Sequence, residues 1–472
     1  MKNEELFQSR SVPRAVFALA VPSIVGQIIL VIYSMADTFF VARTGSSVAV
    51  TAVTVCTPAF MFLSAISNLF GVGGASAISR ALGQGDAARA KRASAFAFFG
   101  CVALTLVYAL FLLLWPDGFL DALGGADPAV HEYALRYLFY TVVLGGLPTA
   151  LSALFAHLLR ANGASLCAGI GTALGGLCNL ALDPLFMFVL LPRGREVEGA
   201  AVATALSNAI ALIYFAIALL RRRRSLSLSF VPSRPMLRAD ILRDVLTAGL
   251  PACIMTLFEN ISFAVLDYLL SLSGVAVQAG VGVAKKVNML AHCMVRGMAQ
   301  GVLPLIGYSY AAGNRRRMRS VVLFSTSCSV LLASVCTAVC LLFSRSLISV
   351  FLQPSSASLV YGARFLRILC LGAPFSACAY AFISFFQGVG CGGRSCMLAI
   401  LRKGLLDIPL MLVLERSIPV YGCVWATPVT DVVCCAVAVI LFRSFLAHHA
   451  AFGGQGAQEA ALPTGGDTLR GD

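Results

Sequence analysis

The second half of this chain repeats the layout of the first. The segment LAVPSIVGQIILVIYSMADTFFVARTG, starting at Leu19, is answered by AGLPACIMTLFENISFAVLDYLLSLSG, starting at Ala248. A proline opens each copy (Pro22, Pro251), an aspartate lies deep inside it (Asp37, Asp267), and a glycine closes it. Each copy then runs through a long apolar segment into a short basic loop, RALGQGDAARAKR in the first and YAAGNRRRMRS in the second. Twelve apolar stretches result, six per half, at 15–40, 48–78, 93–115, 131–157, 165–191, 198–220, 246–272, 276–308, 320–343, 359–388, 396–414 and 421–446. Most match the roughly 20 residues a helix needs to cross about 30 Å of hydrocarbon.

Composition assigns the solvent. Hydrophobic residues make up 59% of the 472 and charged residues 12%, against roughly 25% charged in soluble domains. The expected fold is therefore an all-α membrane protein, twelve transmembrane helices in two pseudo-symmetric six-helix lobes. The domains are a cytoplasmic N-terminus at 1–14, an N-lobe at 15–220, a cytoplasmic linker at 221–245, a C-lobe at 246–446 and a disordered cytoplasmic tail at 447–472. The net charge of +14 follows topology rather than nucleic acid. Arg80, Arg89, Lys91, Arg92, Arg221 to Arg224, Arg315, Arg316, Arg317 and Arg319 crowd one side, and Arg43, Arg193, Arg195, Arg345 and Arg416 mark the other. The positive-inside rule then puts both termini in the cytoplasm. The sixteen cysteines are scattered without a CxxC pair or zinc-ligand spacing, so they read as small packing residues.

Two like halves enclose a natural central cavity, a design of secondary transporters. Ionised carboxylates in hydrocarbon cost at least a few kcal/mol each and mark candidate sites. Asp37 lies in the first span. Asn179 and Asp183 share one face of the fifth at i, i+4 spacing, which Thr204 and Asn208 repeat in the sixth. Their oxygens suit a proton or a hard cation such as Na⁺. The second half offers Glu259, Asp267, Asp407, Asp431 and Thr427, with Glu259 the candidate to draw a cationic substrate. Tyr33, Met255, Met289 and Phe386 are candidates to line an apolar, aromatic cavity. Lys285, Lys286 and Arg296 in the eighth span must face protein, water or an acid.

VPSIVGQIILVIYSMADTFFVARTG, RALGQGDAARAKR, RGMAQGVLPLIGYSYAAGNRRRMRSV, FFQGVG and VEGAAVATALSNAI together resemble the multidrug and toxic compound extrusion (MATE) family, over nearly the whole chain from about 15 to 446. The resemblance implies a V of two six-helix lobes and a bacterial antiporter that exports cationic, amphipathic compounds in exchange for H⁺ or Na⁺ by alternating access. It places an N-lobe cation site on Asp37, Asn179, Asp183 and Thr204, and matches Glu259 to an acid of the C-lobe. The family's span-ten aspartate has no counterpart, because GAPFSACAYAFISFFQG contains no acid.

No Walker loop, dinucleotide fingerprint, catalytic triad or metal motif is present, so no enzyme chemistry and no cofactor beyond the coupling ion are expected. The partners foreseen are small amphipathic cations and the lipid bilayer, with no nucleic acid, and the protein is foreseen as a monomer. The main rival is a lipid-linked precursor flippase of the same superfamily, which would need cationic groups in the cavity. A channel or a membrane-embedded enzyme would need polar rings or clustered His, Ser and paired acids, and neither pattern occurs.

Overall fold

The structure, a computed structural model, describes residues 6–44, 47–123, 127–192, 194–352 and 356–459. Arg193 and the tail from 460 onward lie outside the described residues. Every described element is helical. The spans are α1 (Val12–Arg43), α2 (Ser47–Gly83), α3 (Ala87–Leu114), α4 (Pro128–Leu138 and Gly146–Ala161), α5 (Ser165–Leu185), α6 (Glu196–Arg222), α7 (Ala239–Ser271), α8 (Val275–Ala311), α9 (Arg315–Ser349), α10 (Ala357–Leu371 and Ala373–Gly388), α11 (Gly392–Ile400 and Asp407–Ser417) and α12 (Gly422–Glu459).

Among the described residues nine of these helices are long and apolar enough to cross a membrane by themselves, and the two bent pairs, α4 and α10, raise the number to eleven. The remaining span, α11, misses on length and charge. A π-helical turn, Leu401–Leu406, splits it into short pieces, and it carries Arg402, Lys403 and Asp407. It is tolerated because these three side chains are buried in protein and not presented to lipid.

The packing list of the first half recurs in the second. α1 packs on α5 as α7 packs on α11, α2 on α3 and α4 as α8 on α9 and α10, and α5 on α6 as α11 on α12. The bends also correspond. α4 turns by 46° and α10 by 44°, beside Pro148 and Pro374 respectively, where a missing backbone donor permits the break.

The lobes join through α2 on α7 and α8 on α1. Small residues let these backbones touch. A Cβ on Gly73 would strike the Val245 carbonyl, and one on Gly249 would strike the Leu69 carbonyl. Across the pseudo-equivalent pair, a Cβ on Gly301 would lie 2.7 Å from the Ala20 Cα. Gly249→Val should therefore lower the thermal midpoint in detergent, by an overpacking cost of about 1–3 kcal/mol or more. Gly282→Ala, which meets nothing within 4 Å, is the control and should be neutral. Equal midpoints for the two variants would refute the seam.

Polar ties fasten the lobes at the end bearing the basic loops. Arg89 donates to Asp244 at 2.6 Å and Arg80 to the Asp244 carbonyl at 3.0 Å. Ser76 donates to the Gln387 carbonyl at 2.5 Å. The linker is held too: Ser229 and Ser94 exchange hydrogen bonds of 2.9 and 3.1 Å, and Phe230 packs on Phe98 and Phe155.

Candidate functional site

Helix register builds the N-lobe site. α1 and α5 run side by side, with Gly169 against the Pro22 carbonyl and Gly176 against Ile29 and Tyr33. Both contacts advance by seven residues, so the next step along the parallel pair brings Asp183 level with Ala36 and Asp37. Asn179 donates to Asp183 at 3.2 Å and to the Thr204 hydroxyl at 3.3 Å. The structure thus brings Asp37, Asn179, Asp183 and Thr204 together, with Tyr33 beside them. Asn208 is not part of the group: its amide turns back to the Thr204 carbonyl at 3.0 Å.

Three enclosed oxygens of this group have no hydrogen-bond partner among the described residues: Asp37 Oδ1, Asn179 Oδ1 and Asp183 Oδ2. All three are acceptors, and Asp183 is 0% exposed. Buried acceptors without donors cost about 1–3 kcal/mol each, and more when charged. A proton or a hard cation is what such a set can receive.

The C-lobe holds a related set with two changes, the first being that Ser262 reaches its acid while Asp267 is taken by Lys285. On α11 and α12, Lys403 and Asp407 repeat the i, i+4 spacing of Asn179 and Asp183, and Thr427 lies 20 residues after Asp407 where Thr204 lies 21 after Asp183. Second, where the N-lobe has the Asn179 amide, the C-lobe has an ammonium. Lys403 Nζ binds Asp407 at 2.7 Å, Ser262 donates to the same carboxylate at 2.6 Å and Thr427 at 3.2 Å. Asp407 is saturated by a cation tethered to the chain. Sequence reasoning passed over Lys403 and Arg402. The available signal was the pair of adjacent cations in an apolar span, four residues before an acid.

A cleft opens between the lobes, with a cavity volume of about 60 Å³. Asn68, His157 and Arg160 line it from the N-lobe, and Met255, Glu259, Arg296 and Tyr380 from the C-lobe. Glu259 is not a bare carboxylate. Arg296 donates to its two oxygens at 2.9 and 3.0 Å and the Tyr380 hydroxyl at 3.2 Å. Lys285 is likewise held by Asp267 at 2.7 and 2.8 Å, and Arg402 by Asp431 at 2.8 Å.

Of the expected cavity residues, Met255 and Glu259 line the cleft. Phe386 does not: it is 0% exposed and packs with Phe385 and Phe445 in the C-lobe core. Its apolar neighbours on α12 cover it, a pairing that its own sequence cannot reveal. Met289 stands 43% exposed on α8, outside the lining of this cleft. His157 and Arg160 were also missed, although their i, i+3 spacing in an apolar span was a usable sign.

Two pseudo-symmetric six-helix lobes, an acceptor-rich site inside one and a cleft between them define a multi-pass membrane transporter. The sequence matches the MatE family over residues 22–185 and again over 251–413, and the chain belongs to that family. It is similar to the multidrug export protein MepA of Staphylococcus haemolyticus, 27% identical over 449 residues, covering 94% of this chain and 96% of that protein. The MepA of Staphylococcus saprophyticus is 26% identical over 446 residues, with 93% and 96% covered. Among solved structures, an outward-facing multidrug resistance MATE family transporter of the MOP superfamily superposes with a TM-score of 0.87 at 23% identity, over 95% of this chain and 98% of that one.

Proposed function

We propose that the protein is a secondary antiporter of the cell's cytoplasmic membrane that exports amphipathic organic cations, drugs included, by alternating access in exchange for H⁺ or Na⁺. The observation that carries this reading is the trio of partnerless acceptor oxygens on Asp37, Asn179 and Asp183. Asp37 exchanges the ion, and Asp183, Asn179 and Thr204 complete its site. The C-lobe counterpart has its cation built in as Lys403, so coupling resides in the N-lobe. With the basic loops and both termini in the cytoplasm, the ties of Arg80 and Arg89 to Asp244 close the cytoplasmic end. Glu259, Tyr380 and Met255 form the C-lobe wall met by a substrate, and the chain works as a monomer.

The flippase alternative is weaker. A pyrophosphate needs several free cations close together, yet Arg296 and Lys285 are engaged by Glu259 and Asp267, which leaves Arg160 as the one unpaired cation on the cleft lining among the described residues.

Vesicles containing the purified protein should extrude ethidium when either a proton or a sodium gradient is imposed, and not when both are collapsed. Efflux insensitive to both gradients would refute antiport.

A further inference from the structure

We infer that the base of the central cleft is an anion subsite, centred on Arg160, that receives the carboxylate of zwitterionic amphipathic substrates. This assignment rests on the export reading above and names a class of substrate for it.

Every other arginine or lysine of the cleft wall and of the buried network behind it meets an acid. Arg296 pairs with Glu259, Arg402 with Asp431 and Lys403 with Asp407. Arg160 lines the same cleft, is only 2% exposed, and has no ion-pair partner among the described residues. Its Nε is buried without a hydrogen-bond acceptor among the described residues. A guanidinium carries five donors and no acceptor, so no rotation turns it to suit its neighbours. Leaving such a charge unpaired is costly.

The second orphan on this lining is also a donor, Gln387 Nε2. The polarity is thus opposite to that of the N-lobe site, where all three orphans are acceptors. Orphan donors around one uncompensated cation call for an anion, and the planar fork of arginine fits a carboxylate. One guanidinium beside the Glu259–Arg296 pair suits a single negative charge and not a pyrophosphate. The apolar walls from Val72, Leu303 and Ile383 accept the body of an amphipathic molecule.

Rhodamine B, which bears a carboxylate, and its ethyl ester, which does not, test this directly. In nanodiscs of phosphatidylcholine, fluorescence polarisation should show the acid bound about tenfold more tightly, the order expected for one charge-assisted hydrogen-bonded pair. Arg160→Gln should erase that preference and leave the ester's affinity within about twofold, while Arg160→Lys keeps part of it. If Arg160→Gln does not fold, the wild-type comparison decides alone. Equal affinity of the wild type for acid and ester would overturn the subsite, as would an equal loss for both dyes in Arg160→Gln. A preference abolished by adding phosphatidylglycerol would reassign the site to a lipid headgroup. Failure to bind either dye would instead bring down the export reading itself.

Discussion

Asp37→Asn should reduce gradient-driven efflux to the rate of protein-free vesicles while the protein still inserts and purifies in normal yield. The amide keeps the size of the side chain and one acceptor, but it loses the charge that takes up H⁺ or Na⁺. Asp183→Asn should do nearly the same, because the helix register sets Asp183 level with Asp37 and the two acids would share one ion. Asp267→Asn is the comparison. Its carboxylate is half-exposed and already held by Lys285, a type of pair worth about 1 kcal/mol or less, so efflux should fall only modestly. Wild-type efflux in Asp37→Asn vesicles would sink the N-lobe mechanism and move the search to Glu259.

The second large effect concerns stability. Lys403→Met should destabilise the C-lobe by about 3–5 kcal/mol, because it strands a buried carboxylate. Asp407 is fully enclosed and Lys403 supplies its only counter-ion within ion-pair distance among the described residues. Pairing the change with Asp407→Leu should recover most of the loss, since Ser262 and Thr427 can turn their hydroxyls to backbone carbonyls of their own helices. Thermal unfolding in detergent, followed by exposure of buried cysteines to a thiol-reactive dye, reads both variants. All sixteen cysteines are free. If the double variant is as unstable as Lys403→Met, the pair is not what holds Asp407.

The legible part of this molecule was its periodicity. The repeated proline and aspartate marked the two halves, and i, i+4 spacing put Asn179 with Asp183 on one face, where the structure places them within 3.2 Å. Along one helix the sequence reports which residues share a side. It does not report what that side faces. Phe386 therefore read as a cavity residue although α12 covers it, and the partners of Lys285 and Arg296 waited for the fold. The most informative span, α11, was the least legible. Its π-helical turn changes the angular step between residues and turns Arg402 and Lys403 inward, so a pattern built on 3.6 residues per turn passes over them.

The lysine fastened to Asp407 also bears on energetics. With one carboxylate site immobilised, a single exchangeable ion per cycle remains under the proposed antiport. Swapping one proton for one monovalent cation moves no net charge across the bilayer, so that exchange draws only on the chemical gradient of the ion. A zwitterion seated on Arg160 changes the arithmetic. Its departure is electrically silent and the entering ion is not, so each turnover also gains about 2.3 kcal/mol per 100 mV of membrane potential. The same machine would be voltage-blind for one class of passenger and voltage-driven for the other.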